Sequence, residues 1–158
     1  MIDRLTKDKV IIRNKAGKAY LCTLNFENEK TLTLLSLAEI ENKDEFYTKN
    51  KELKIVLEDF LKSIKVKNNT ISVVLFGSYS KGTATNESDI DILVIGKEKA
   101  SIDKTTREIN AKYGKEINVI VMSPKDFKSQ QDKALIKEII SNHYILYGAD
   151  KFVGLVFK

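Results

Sequence analysis

Two aspartates, Asp89 and Asp91, flank a single isoleucine in the stretch FGSYSKGTATNESDIDILVIG, residues 76–96. Acids set in an apolar run are costly to bury without a partner. On a β-strand alternate side chains share a face, so the two carboxylates point the same way, roughly 7 Å apart along the strand. Ile90 and Ile92 then point to the opposite face, into a core. Side-by-side carboxylates repel, so one takes up a proton or both bind a cation. Hard oxygen ligands favour Mg²⁺ (or Mn²⁺), which is usually held by one or two carboxylates together with substrate phosphates.

A phosphate site is legible just ahead of the acids. Gly77-Ser78 follows the apolar run Ile71–Phe76. A glycine there lets the backbone approach a ligand closely and turn its N–H groups outward. Ser78 adds a hydroxyl donor, Lys81 a cation, and a helix starting at this point would add its N-terminal N–H groups. Gly77 and Gly82 have the separation of a P-loop, but Thr83-Ala84 stand where Lys and Ser/Thr are required. The three-glycine dinucleotide fingerprint is also missing. A triphosphate cradle next to a metal-binding carboxylate pair implies phosphoryl or nucleotidyl transfer by in-line displacement.

Taken singly these signals are weak, because Asp-x-Asp is common and Ser88-Asp89 can simply close a turn. Their order carries more: strand, Gly-Ser, ten residues, Asp-x-Asp, apolar strand. This order resembles the signature of the DNA polymerase beta-type nucleotidyltransferase superfamily, in particular its small, archaeal-type prokaryotic members. The match runs over Gly77, Ser78, Lys81, Gly82, Ser88, Asp89 and Asp91 and covers about residues 50–125. The resemblance implies an α/β (α+β) nucleotidyltransferase fold, with a mixed β-sheet and helices packed on it. It implies that Gly77 and Ser78, with Lys81 and Ser88 beside them, hold a nucleoside triphosphate. ATP is the first choice of nucleotide. Asp89 and Asp91 would be the catalytic metal ligands.

The family uses a third carboxylate on the next core strand. Strand position places it at Asn118, in Lys115-Glu116-Ile117-Asn118-Val119. An amide oxygen carries no charge and cannot act as a base. Glu116 shares the face of Asn118, one pleat away, and is either a substitute acid or a solvated residue at the strand start. Weakened turnover is the expectation.

The elements that must position these residues are legible in outline. Leu53, Val56, Leu57, Phe60, Leu61 and Ile64 form one apolar stripe at helical spacing, giving a helix over 50–65. Strands are expected at 71–76, 89–95 and 117–122, with a short one at 144–147 before Gly148. A helix is expected from Ser101 as N-cap to Tyr113, with Gly114 at its end. Ser123-Pro124 reads as an N-cap followed by proline at the first helical position. Residues 131–142 form another helix, with Leu135, Ile136, Ile139 and Ile140 on one face, and 149–156 a last helical segment. Alternation of strands and helices from residue 71 argues for an α/β sheet domain.

The N-terminal part reads differently. Val10–Ile12 and Ala19–Cys22 form a hairpin over 9–24, with its turn at Asn14–Gly17, and 28–41 is loosely patterned helix. Residues 1–42 are expected to form a separate hairpin-and-helix element, and 43–158 the nucleotidyltransferase domain. The hairpin resembles the wing of a winged-helix DNA-binding domain. Too few residues precede Asn25 for the three helices of that domain, so sequence-specific DNA binding is not expected. Capping the sheet or forming a homodimer is the alternative role.

Composition sets outer bounds. With 42% apolar and 31% charged residues the chain is globular rather than disordered. A single cysteine, Cys22, excludes an internal disulfide and reads as a small buried hydrophobe. His143, the single histidine, excludes a Cys/His metal cluster and reads as structural. No apolar stretch approaches membrane-spanning length, and a cytoplasmic protein is expected. The net charge of +5 suits phosphate-bearing partners, but the lysines are spread among glutamates as on a solvated surface. Three functions follow. The first is NMP transfer from an NTP to a hydroxyl acceptor on a protein or small molecule. The second is an NTP-binding or antitoxin-type interaction module with little catalysis; the resemblance implies a helical HEPN-type partner. The third, resting on charge and the hairpin alone, is nucleic-acid binding.

Overall fold

A computed structural model describes residues 1–65, 69–96 and 99–157. Its core is a mixed four-stranded sheet of β3 (Ser72–Phe76), β4 (Ile90–Ile95), β5 (Ile117–Met122) and β6 (Tyr144–Tyr147), in the order β5-β4-β3-β6. β3 pairs antiparallel with both β4 and β6, while β4 and β5 run parallel. Such a parallel pair needs a crossover, supplied here by α5 (Lys99–Tyr113).

Strand alternation splits the interior in two. Val73 and Leu75 of β3 and Ile90, Ile92 and Val94 of β4 face one cluster with α3 (Lys51–Lys65) and α5. Val74, Phe76, Leu93 and Ile95 face a second cluster under α6 (Pro124–Ser129), α7 (Ala134–Ser141) and α8 (Ala149–Phe157). β3 is buried throughout, as its unbroken apolar run requires. The stripe on α3 is buried as its spacing predicts, with Leu57, Phe60 and Ile64 fully enclosed. α6 starts as expected: Ser123 accepts from the Asp126 amide at 3.1 Å, and Pro124 takes the first helical position.

The N-terminal part comprises α1 (Ile2–Lys7), β1 (Ile11–Ala16), β2 (Ala19–Leu24) and α2 (Glu29–Lys49). α2 is continuous across the expected division at 42/43 and packs on α8 and β6. The two-stranded sheet of β1 and β2 stands apart from the main one. It is tied in at its base, where Asn28 Nδ2 donates to the Asp8 carbonyl at 2.8 Å and Asn25 Nδ2 to that of Lys9 at 2.9 Å.

Several expectations need correction. The hairpin turn is Gly17-Lys18, not Asn14–Gly17, because Asn14, Lys15 and Ala16 pair with Leu21, Tyr20 and Ala19. Gly17 has φ +64°, which suits the first central position of a two-residue hairpin loop. Cys22 is exposed rather than buried, since neither face of β2 is covered. α7 is shorter than 131–142, and Leu135 is exposed while Ile136 and Ile139 are buried. α5 starts at Lys99, so Ser101 stands within the helix rather than ahead of it. Two short helices, α1 and α4 (Gly77–Lys81), had no clear signal in the pattern.

Candidate active site

The Gly-Ser turn sits where β3 gives way to α4. Gly77 adopts φ +73° and lies so close to the Asp91 carboxylate that a Cβ would overlap Oδ2. Only glycine meets both demands. Ser78 opens the single turn of α4, half-buried, and its hydroxyl makes no hydrogen bond within the described residues. Gly82 closes α4 with φ +70°, and Thr83 N–H donates to the Ser78 carbonyl at 3.0 Å.

The strand register assembles the polar ridge. Asp91 stands level with Phe76 of β3 on one side and Asn118 of β5 on the other. Asp89 immediately precedes β4 and is exposed, and its Oδ2 accepts from Asn118 Nδ2 at 3.2 Å. Asn118 therefore bridges the acidic pair. Burial pushes the Asp91 carboxyl up from the usual carboxylate range, the charges of Asp89 and Glu138 push it further, and the Asn118 amide draws it back. Glu116 is exposed just before β5, and only its backbone is engaged, its carbonyl accepting from Ile90 N–H at 2.8 Å. Among the described residues no group of three or more His, Cys, Asp and Glu side chains is placed to hold a metal ion.

Other residues singled out in the sequence have protein partners of their own. Lys81 Nζ pairs with Glu138 Oε1 on α7 at 2.5 Å. Ser88 Oγ accepts from the Thr85 amide at 2.9 Å and so closes the loop before Asp89. His143 Nδ1 lies 3.1 Å from the Ile140 carbonyl, Nε2 lies 3.6 Å from Glu39 Oε2, and the ring packs on Phe152 with centroids 5.1 Å apart. Glu138 and a cavity of about 1110 Å³ went unnoticed in the sequence. The cavity is bounded by Phe46, Asn50, Tyr79, Thr85, Lys115 and Tyr144. It lies beside the carboxylates rather than around them, with α4 between: Gly77 faces Asp91, while Tyr79 and Ser80 line the cavity. No motif marks Glu138, an ordinary polar position on an amphipathic helix; only the packing of α7 brings it to Lys81.

Residues 57–147 match the model of the nucleotidyltransferase domain family, which is more than half of the chain and includes the whole ridge. The chain belongs to the nucleotidyltransferase domain family. A relative from Methanocaldococcus jannaschii, named as a protein adenylyltransferase, is 38% identical over 112 residues, covering 65% of this chain and 76% of its own. A second of the same name and organism is 34% identical over 95 residues, covering 58% of this chain and 94% of its own. Among solved structures, a toxin–antitoxin crystallised with AMP-PNP aligns with TM-score 0.45 at 18% identity, covering 64% of this chain and 80% of that one. The mixed sheet with packed helices and the N-terminal hairpin agree with the fold expected from the sequence. Among the described residues no helix is long and apolar enough to cross a membrane.

Proposed function

We propose that this nucleotidyltransferase moves AMP from ATP to a hydroxyl of a protein, using Asp89 and Asp91 to hold a divalent cation. The observation that carries this reading is the contact of Gly77 with Asp91 at the head of a register that also holds Asp89 and Asn118. The choice of AMP and of a protein acceptor is supported by the names of the relatives.

The donor set suits Mg²⁺ or Mn²⁺. Two carboxylates share one strand face, one of them held against its own ionisation by burial and like charge. Such a pair, completed by substrate phosphates, is an ordinary Mg²⁺ environment. A bound cation would neutralise phosphate charge and orient the attacking oxygen for in-line displacement. The chain's own residues do the rest. Gly77 lets the Asp91 carboxylate lie against the backbone at the head of the turn, and the Ser78 hydroxyl, unpaired among the described residues, donates to a phosphate oxygen. Lys81 stands at the end of the same turn and supplies a cation to it. The cavity beside α4 is large enough for the remaining parts of the substrates. The acceptor oxygen bonds to the α-phosphorus, the α–β bridging bond breaks, pyrophosphate departs and the hydroxyl proton passes to water.

Asn118 favours a second reading, an NTP-binding module of low turnover. Its amide is committed to Asp89 and supplies neither charge nor base. One experiment separates the readings: incubation with α-labelled nucleotides, Mg²⁺ or Mn²⁺ and candidate acceptor proteins, beside Asp91→Asn and Asn118→Asp. Label on protein that is lost in Asp91→Asn supports transfer. Metal-dependent nucleotide binding with label only in Asn118→Asp supports the binding module. Absence of metal-dependent nucleotide binding in all three overturns both.

A further inference from the structure

The ammonium carried by the phosphate turn itself is already engaged. Lys81 ends α4, and its Nζ meets Glu138 Oε1 at 2.5 Å, with the two side chains 41% and 44% exposed. Glu138 belongs to α7, an element outside the Gly-Ser and Asp-x-Asp motifs. Its position is fixed from two sides. Ile136 and Ile139 anchor α7 in the second core. Ser80 Oγ, beside Lys81, lies 3.0 Å from the Asn142 carbonyl just past the end of α7, tying the two helices together. Glu138 also acts electrostatically on Asp91. Lys81 ends the short helix that begins at Gly77, whose backbone lies against the Asp91 carboxylate, so the Lys81–Glu138 pair stands one helical turn from the acids. The charged groups gathered there are Asp89, Asp91 and Glu138 against Lys81, an excess of negative charge that favours a metal cation over a bare polyphosphate.

We propose that Glu138 is a positioning residue that competes with the nucleotide's phosphates for Lys81, so that breaking the Lys81–Glu138 pair is a built-in cost of nucleotide binding. The inference rests on the reading of this site as a nucleoside-triphosphate site. Lys81 turns from one anionic partner to another on the same side of α4. Glu138, released, adds its charge to the face that holds the metal. A site tuned this way discriminates against anions arriving without a cation, because such anions must displace Glu138 while still facing Asp89 and Asp91.

The test is calorimetric titration of the full chain with two probes, the Mg²⁺ complex of a non-hydrolysable ATP analogue and metal-free tripolyphosphate. It compares wild type, Glu138→Gln, Lys81→Ala and the double variant. Both substituted side chains are partly exposed, and equal melting temperatures would show that the fold is kept. Glu138→Gln is expected to bind the Mg²⁺ complex roughly two- to fivefold more tightly, the scale of a solvent-exposed ion pair. Tripolyphosphate should gain more than the Mg²⁺ complex, because it lacks a compensating cation. Lys81→Ala is expected to weaken the Mg²⁺ complex by roughly tenfold, and in that background Glu138→Gln should change its binding little. Glu138→Asp should stay near wild type. Additive single effects, or weaker binding in Glu138→Gln, would overturn the competition while leaving the nucleotide site intact. Failure of the wild type and every variant to bind either probe would overturn both the competition and the nucleotide reading.

Discussion

The ridge formed by β3, β4 and β5 and the hairpin of β1 and β2 are built on opposite plans. On the ridge, every strand side chain from Ser72 to Phe76 is buried, and Asp91 is the one acid within β4. In the hairpin, β2 is exposed throughout, and Tyr20, Leu21 and Leu24 lie open to solvent beside Arg13 and Lys15. Burial on both faces of β3 and β4 fixes the register of the ridge, because a shift of one residue would drive Asp91 into the core. The hairpin has no such constraint: a two-stranded ribbon in water is marginal alone, and here the Asn25 and Asn28 side chains tether its base. The difference teaches where precision is needed. The chain invests its packing in holding two carboxylates and a glycine in register, and leaves the hairpin as a surface.

The sharpest break of this contrast is chemical. Asp91→Asn removes a charge from the buried side of the ridge and leaves the shape alone. If the carboxylate holds the cation, several kcal/mol of charge stabilisation disappear, and transfer of label should fall on the order of 10³-fold. A loss below tenfold would separate the ridge from the chemistry.

Stability gives the next largest effect. Phe60→Ala empties a fully enclosed position under the ridge and should cost about 3–5 kcal/mol in denaturant unfolding. Leu21→Ala, on the open hairpin, should change stability by less than about 0.5 kcal/mol. Comparable losses at the two sites would mean that the hairpin is covered in solution. Gly77→Ala falls between. The positive φ alone costs ~1–3 kcal/mol, and the new Cβ must displace the Asp91 carboxylate. Metal-dependent nucleotide binding should therefore drop more than the melting temperature suggests. Equal binding in Gly77→Ala would deny the close approach its role.

Asp91 also carries a pH signature. Its carboxyl is raised from the ordinary value of 3.8, chiefly by burial. The fold therefore favours the protonated form. The contribution of this group to stability is fully present below the unfolded value and is lost as pH rises through the folded one. Without metal, wild type should lose stability relative to Asp91→Asn as pH rises from the ordinary aspartate range toward neutrality. Saturating Mg²⁺ should reverse that trend, since the cation binds the ionised form. A pH-independent difference between the two proteins would remove the basis for treating Asp91 as strained by its neighbours.

Much of the ridge was legible in the sequence, and the reason is physical. A strand buried on both faces must be apolar, so acids inside it are conspicuous, and a period of two assigns them a common face. The α3 stripe was legible because one helix face is enclosed and the other is not. What was hidden depends on tertiary placement. Glu138 sits on a helix whose apolar residues fix its orientation, but nothing local says which sheet edge α7 meets. The hairpin turn was misplaced because Asn14 and Gly17 are both turn residues, and cross-strand pairing alone shows that Asn14 lies opposite Leu21. Ser88 drew notice beside Asp89, yet its hydroxyl serves the Thr85 amide.

The smallest effect tests the hairpin's half of the contrast directly. Cys22 was expected to be buried, as free cysteines usually are. Instead it lies on β2 opposite Arg13 and is exposed. Substituting Ser for a solvated thiol removes no packing, so Cys22→Ser should shift stability by less than about 0.5 kcal/mol. The more informative reading is kinetic. In native buffer the thiol should react with a small disulfide reagent at nearly the rate seen in denaturant, because no unfolding is needed to reach it. Strong protection in the folded protein, relieved by dilution or by salt, would show the hairpin to be occupied by another surface, and its exposure would then be a property of the isolated chain alone.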